Sequence, residues 1–418
     1  DLVENHHSEI AARAVWALGR SPDTAANRRA LCDFTKSPEV RIARSAWAAL
    51  IALPSPLATG EGQPDFVRGL ESSDRRVRAA CVVAARGKLG EAFQRHRFPR
   101  RISPRVRLGS VMVSGFAGAS GFNTCLFVFS GSKDVSTRLD AIRLLQKGLG
   151  DVLLTPGKRK PTDGFIARGI GNVEESIRKR MVDRLAPAFP TGDKELDLEL
   201  GRLLAMLQAD ADGLPTRVAE LADEFSSPEN DIHFLQVYSQ LTSEPSGEDR
   251  ATIAATIARL EHKMAKLGRV PARNWPKHVS ETFAQLLKAD PDLGTTLVAD
   301  KNFTLSGHAL LANQLKTEEV RLAAAKKLVT VKDWTPDLIH FLSRLDPALL
   351  QPMLRERWEH VALRNAILRA LAKAPQPEDR ARFFAGLDSF DTGTISVWLP
   401  MRSSIWMHRR SRKNTARS

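Results

Sequence analysis

Asp231 and His233 stand two residues apart near the start of a predicted helix, one of few places where the chain pairs groups able to move a proton. An acid beside a histidine can orient the ring for general-base work. An aspartate in the first turn of a helix equally serves as its cap or as partner of its dipole, and that reading is adopted for Asp231. His6 and His7 lie beside Glu9, but adjacent histidines on a helix cannot face one metal ion as an i,i+4 pair does. They are read as solvated residues. His340, Glu359 and His360 fall on separate late helices, as polar positions.

The acids are no more suggestive of catalysis. Glu174 and Glu175 open a helix ahead of Arg178 and Lys179, an ordinary charge arrangement. Asp193, Glu195, Asp197 and Glu199 read as the solvated face of a helix. Gly115, Gly118 and Gly121 lack the strand–turn–helix setting and the later acid of a dinucleotide fingerprint. P-loop, GxSxG, HExxH and EF-hand spacings do not occur. Cys32, Cys81 and Cys125 form neither CxxC, CxxCH nor a zinc spacing, and three thiols make a poor disulfide framework; Cys32 and Cys81 fall where buried helical core positions are expected. The sequence therefore predicts a chain that is not an enzyme, with no catalytic, cofactor-binding or metal-binding residue of its own.

The residue that recurs most regularly is an arginine. A small acidic or Ser/Pro turn leads into Val-Arg and then into an Ala-rich amphipathic run at Val40-Arg41, Val77-Arg78 and Val320-Arg321. Related texts run from Arg138 through Leu144 and from Leu363-Arg364 through Leu371, and Glu9–Gly19 resembles the second helix of such a unit. Ser, Thr or Asp caps each helix, an acid in its first turn suits the dipole, and apolar residues three and four apart form one buried stripe. Arg41 and Arg78 are 37 residues apart, Arg321 and Arg364 are 43 apart, and either step accommodates one helix pair. Such a pair buries its face only against its neighbours, which predicts an all-α solenoid. In it, Arg41, Arg78, Arg138, Arg321 and Arg364 are structural, each tying one repeat to the next through a carboxylate or carbonyl. The alternative has these arginines and Arg13 lining a phosphate-binding ridge. Trp16, Trp47 and Trp275 are expected to pack between repeats.

The Val-Arg segments resemble HEAT repeats of the short bacterial type, also called PBS-lyase-like. A longer resemblance, from about 134 to 386, rests on Arg138–Gln146, Phe189-Pro190-Thr191-Gly192-Asp193, Asn230–Leu235 and Arg273-Asn274-Trp275-Pro276. These phrases resemble the helical region of large exported bacterial proteins that join a sugar-dehydrogenase-like propeller, HEAT repeats and a c-type cytochrome domain. The resemblance implies a periplasmic or exported location, a chain that is part of a longer protein, and haem c held only in a flanking domain.

The formal charge of +14 is unevenly placed. Arg95, Arg97, Arg100, Arg101, Arg105 and Arg107 supply six charges, and the segment from Arg402 to Ser418 six more, leaving +2 for the rest. The division expected is N-terminal repeats at 1–94, an irregular insertion at 95–131, a main helical array at 132–390 and a disordered basic tail at 391–418. Val111–Val113 and Cys125–Phe129 are candidate short strands in the insertion. Such Arg-rich text arises either from a genuine loop and tail or from reading out of frame. Pro156–Asn172 reads as a long inter-repeat loop. The chain opens directly on a helical pattern without a signal peptide, so an export signal would lie upstream; no run reaches the roughly 18 apolar residues of a membrane span.

Three functions compete. The first is an interaction scaffold presenting a curved surface to a protein partner or positioning flanking redox domains. The second is a HEAT-type nucleic-acid binder using a basic concave face, against which the near-neutral body counts. The third, an enzyme resembling HEAT-type bilin lyases, would need a cleft of convergent acid and base groups that the sequence does not mark.

Overall fold

A computed structural model describes residues 8–54, 64–87, 89–95, 101–116, 118–150, 161–268 and 272–386. The expectations placed on His6, His7, the first part of the Pro156–Asn172 loop (residues 156–160) and the tail at 391–418 lie outside these residues. The fold is all-α, with no strand among the described residues. No helix among them is long and apolar enough to cross a membrane.

The chain divides into two compact units, residues 1–156 with 166–211, and residues 157–165 with 212–418. The first holds α1 (Ser8–Leu18), α2 (Ala25–Phe34), α3 (Val40–Ala52), α4 (Phe66–Glu71), α5 (Arg75–Arg86), α6 (Gly90–Arg95), α7 (Pro104–Ser114), α8 (Gly118–Gly131), α9 (Val135–Gly148), α10 (Glu175–Leu185) and α11 (Lys194–Met206). Helices two places apart lie side by side, so α1, α3, α5, α7, α9 and α11 form a row. The intervening helices pack against it, and α8 touches α10. This is the arrangement expected of stacked helix pairs.

The second unit holds α12 (Leu214–Glu220), α13 (Pro228–Tyr238), α14 (Gly247–Lys266), α15 (Trp275–Ala289), α16 (Leu293–Ala299), α17 (Ala309–Ala312), α18 (Glu318–Leu328), α19 (Pro336–Leu342), α20 (Pro347–Glu356), α21 (Arg364–Leu371) and α22 (Arg380–Ala385). Two rows run through it, α12–α14–α16–α18 and α13–α15–α17–α19–α21, cross-linked by contacts such as α13–α14 and α17–α18.

Helix starts follow the capping chemistry. Thr24, Asp74, Asp134 and Asp193 each accept a first-turn backbone N–H. Ser103-Pro104, Ser227-Pro228 and Thr335-Pro336 combine a hydroxyl cap with proline where its missing N–H costs nothing. Ser246 and Asp249 close a capping box at α14. Ala43, Ala46, Trp47 and Leu50 bury one face of α3, and Val77, Cys81, Ala84 and Ala85 that of α5.

Within the segment expected to be irregular, residues 104–114 and 118–131 are helical instead. α7 and α8 replace the candidate strands at Val111–Val113 and Cys125–Phe129. The physical reason is a buried stripe of Phe122, Cys125, Leu126 and Phe129, spaced three, one and three residues apart, which packs on α9 and α10. Gly109 lets α7 come close to α4: a Cβ there would sit 2.6 Å from Leu70 Cδ2. Gly69 does the same for α4 against the ring of Trp47, where a Cβ would sit 2.7 Å away. All three cysteines are buried thiols outside any disulfide. Burial pushes the Cys125 thiol up to about 12 and raises Cys81 as well, so both stay protonated.

Candidate functional site

The repeated arginines have three different environments. Arg78, Arg321 and Arg364 each donate to the carbonyl six residues back, in the turn that precedes their own helix: Ser72 at 2.7 Å, Leu315 at 2.6 Å and Trp358 at 3.1 Å. Arg78 and Arg321 are the fourth residues of α5 and α18. Arg364 is fourth when the 3-10 turn Val361–Leu363 leading into α21 is included. A side chain at that position lies above the preceding turn, where its fork reaches the turn's carbonyls. The clamp therefore closes a helix pair on itself. Arg78 alone of the three also reaches another pair, through Asp140 of α9 at 2.7 Å. Arg138 makes no such bond: its guanidinium lies 4.5 Å over the Phe129 ring, and its Nε meets no acceptor. Arg41 is exposed.

Further ties between neighbouring pairs come from lysines the sequence did not single out. Lys263 of α14 donates to the carbonyls of Asp223 (2.5 Å) and Ser226 (3.1 Å), beyond the end of α12. Lys327 of α18 does the same to Val298 (2.8 Å) and Asp300 (2.6 Å) at the end of α16. Lys373, beyond α21, bonds the Ser343 hydroxyl at the end of α19 at 2.7 Å. A cation over the negative end of a helix is favourable, and the carbonyls it reaches gain donors.

Two acid readings are corrected by these contacts. Asp231 lies in the first turn of α13, as expected of a dipole partner, but does not cap the helix, a role taken by Ser227. Fully buried, it pairs with Lys263 at 2.6 Å and accepts the Ser226 hydroxyl. Burial raises its pKa, opposed by Lys263 and Ser226. His233 packs its ring against Phe165. Nor is the acidic stretch of α11 a solvated face: Asp197 is buried and accepts from the Thr191 N–H and hydroxyl and the Gly192 N–H. Glu195 and Glu199 both bind Arg143 of α9. These acids hold a turn and join two helices.

The arginines left over converge with an aromatic residue. α1, α3 and α5 lie side by side and present an open groove of about 660 Å³. Trp16 and Arg13 enter it from α1, Arg41 and Arg44 from α3, and Arg76 from α5. Trp16, expected between repeats, is 46% exposed, with the Arg20 guanidinium 4.2 Å over its ring. Trp47 is the fully buried one of the pair.

Charges in the groove are unevenly satisfied. Glu9 pairs with Arg13 at 2.7 Å. Glu39 accepts the Arg41 N–H as N-cap of α3, and Asp74 accepts the N–H groups of Arg76 and Val77 as N-cap of α5. Among the described residues the guanidiniums of Arg41, Arg44 and Arg76 have no carboxylate partner. Arg13 and Arg41 are thus the only two of the recurring arginines to share this surface. Arg44 and Arg76 went unrecognised in the sequence, although the buried stripe of α3 through Ala43, Ala46 and Trp47 turns Arg44 and Arg41 to the opposite face.

The architecture and the groove define a class, an all-α protein of stacked helix pairs with an aromatic–arginine surface. No protein-family model matches the chain, and no curated protein is similar to it.

Proposed function

We propose that the chain is a non-catalytic interaction scaffold, an α-solenoid of HEAT-like helix pairs whose α1–α3–α5 groove receives an acidic, aromatic-bearing segment of a protein partner. The observation that carries this reading is the set of guanidiniums at Arg41, Arg44 and Arg76, without a carboxylate partner among the described residues, beside the exposed Trp16 ring. Arginine and tryptophan are the residue types that most often anchor interfaces. Partner carboxylates meet the guanidiniums, and an apolar side chain covers Trp16.

The same cations would accept phosphates, which is the nucleic-acid alternative. Glu9, Glu39 and Asp74 line the groove as well and repel a continuous phosphate backbone, so a protein segment with spaced acids is favoured. If the resemblance to exported haem proteins holds, the partner is a flanking redox domain of the same polypeptide, and haem c belongs to that domain.

Fluorescence anisotropy with a short labelled peptide of glutamates around one phenylalanine tests the reading. The triple variant R41Q/R44Q/R76Q is expected to bind at least about tenfold more weakly, and W16A several-fold more weakly. Unchanged affinity in both would sink it. Duplex DNA that displaces the peptide and binds more tightly would transfer the groove to the nucleic-acid alternative.

A further inference from the structure

No charged residue lies between Arg107 and Lys133, in a chain of which charged residues make up 26%. The stretch includes all of α8, so the open face of that helix lacks the charges a solvated helix face carries. Phe122, Cys125, Leu126 and Phe129 turn inward. Ser120, Asn123, Phe127 and Ser130, spaced three, four and three residues apart, are exposed on the other side. Phe127 is 65% exposed, a large apolar ring left in the middle of an uncharged stripe.

An open groove of about 430 Å³ follows α8 from Asn123 to Gly131 and takes its other wall from Arg180 and Arg184 of α10. Its charge is of one sign. Arg180 donates to Asn123 Oδ1 at 2.9 Å, and Arg184 has neither a hydrogen bond nor an ion pair among the described residues. Arg107 of α7 adds a third guanidinium, 5.4 Å over the Phe127 ring. No acid lines this groove among the described residues, whereas Glu9, Glu39 and Asp74 stand among the arginines of the α1–α3–α5 groove. Asp183, exposed beside Arg184 in the chain, is turned about 100° away around α10.

We infer that the α8–α10 groove seats an amphipathic helix of a partner protein, its apolar stripe over Phe127 and two carboxylates one turn apart on Arg180 and Arg184. The two arginines are four residues apart and so rise about 6 Å along α10, the same step that separates acids at i and i+4 on a docked helix. The small residues Ser130 and Gly131 leave room for a helix to come close, and the groove follows α8 for about two turns. An uncharged seam bordered by cations is the complement of an apolar stripe bordered by acids. A flat lipid surface would meet Phe127 and leave the groove unfilled. The site lies on helices outside the α1–α3–α5 row and does not depend on the function proposed for that row.

The test uses the full chain carrying R41Q/R44Q/R76Q, so that the other groove does not capture the probe. The probe is a stapled, dye-labelled peptide helix of about 15 residues, with leucines along one stripe and two glutamates four residues apart beside it. Saturable binding is expected by fluorescence anisotropy. F127S and R180E/R184E, changes at exposed side chains, should each weaken it by about tenfold with folding intact by circular dichroism. A peptide with lysines in place of the two glutamates should bind R180E/R184E more tightly than it binds the parent, a rescue that a damaged fold cannot give. Unchanged affinity in both variants, or equal binding of a proline-broken peptide of the same composition, overturns the site. So does an absence of peptide binding together with Phe127-dependent retention on phosphatidylglycerol vesicles, which assigns the face to lipid, or with Phe127-dependent dimerisation, which assigns it to a second copy.

Discussion

The buried imidazole of His308 is held by two backbone groups with opposite demands. Its Nδ1 accepts the Leu305 N–H at 3.1 Å, which leaves Nε2 to carry the proton and donate to the Ala258 carbonyl at 3.0 Å. A second proton at Nδ1 would break the first bond inside a dry site. Burial brings the pKa down to about 4; the Ala258 carbonyl and Asp300 oppose that fall, while nearby His262 and Lys327 add to it. The unfolded chain, with an ordinary histidine pKa near 6.5, therefore binds more protons than the folded one between pH 6.5 and about 4. The stabilisation from this group is complete above pH 6.5 and drains away as pH falls through that window, amounting to roughly 3 kcal/mol. Glu261 and Asp231, whose pKa values burial raises, act in the opposite sense: their carboxylates favour the folded state less as pH rises from the ordinary carboxylate range. Wild type and H308Q compared by chemical denaturation at pH 7 and pH 4.5 isolate the histidine. H308Q is expected to be less stable at pH 7, and the gap between the two proteins should shrink by most of that amount at pH 4.5. A constant gap would show that His308 does not titrate across this window.

Helix pairs are closed by their arginines, and Arg78 has the most to lose because it serves Ser72, Ser73 and Asp140 together. R78A strands two turn carbonyls and a half-buried carboxylate, and is expected to lower unfolding free energy by about 3 kcal/mol. R78K retains a point charge without the fork and should recover no more than about half of that. Urea denaturation of the two variants checks the order, which a purely electrostatic role would reverse in favour of near-complete rescue by lysine. At this scale the sequence was partly legible. Val-Arg after a capped turn marks helix starts because capping and stripe formation are local, and all-α architecture followed from them. Two things were hidden by non-local causes. α7 and α8 carry Gly109, Gly121 and β-branched residues whose intrinsic preference is against helix, and contacts with Leu70 and α9 override it. The stripe Phe122, Cys125, Leu126, Phe129 was nonetheless present at helical spacing. The lysine ties at 263 and 327 reach 27 to 40 residues back, a distance over which a single sequence gives no pairing signal. The groove was half visible, through Arg13 and Arg41, because exposure of Trp16 depends on which side of α1 the row of helices leaves open.

Over the whole molecule the charge of +14 is a poor guide to where an anion binds. Much of it belongs to residues 95–107 and 402–418, whereas the groove owes its field to three guanidiniums whose neighbouring acids are occupied by backbone N–H groups or by Arg13. Raising sodium chloride from about 0.05 M to about 0.3 M should weaken binding of the acidic peptide by roughly tenfold, since exposed charges are screened at that ionic strength. Removing residues 391–418 is expected to leave that salt dependence unchanged. A slope that falls to zero in the shortened chain would place the interaction in the tail. In the second unit the Arg321 and Arg364 clamps within a pair and the Lys263 and Lys327 bonds between pairs also differ in what happens to them under tension. Stretching the second unit along its rows would pull Lys263 and Lys327 away from the carbonyls of the preceding helices while the Arg321 and Arg364 clamps stay shut. Under extension the lysine bonds between neighbouring helices are expected to open before the clamps within a pair.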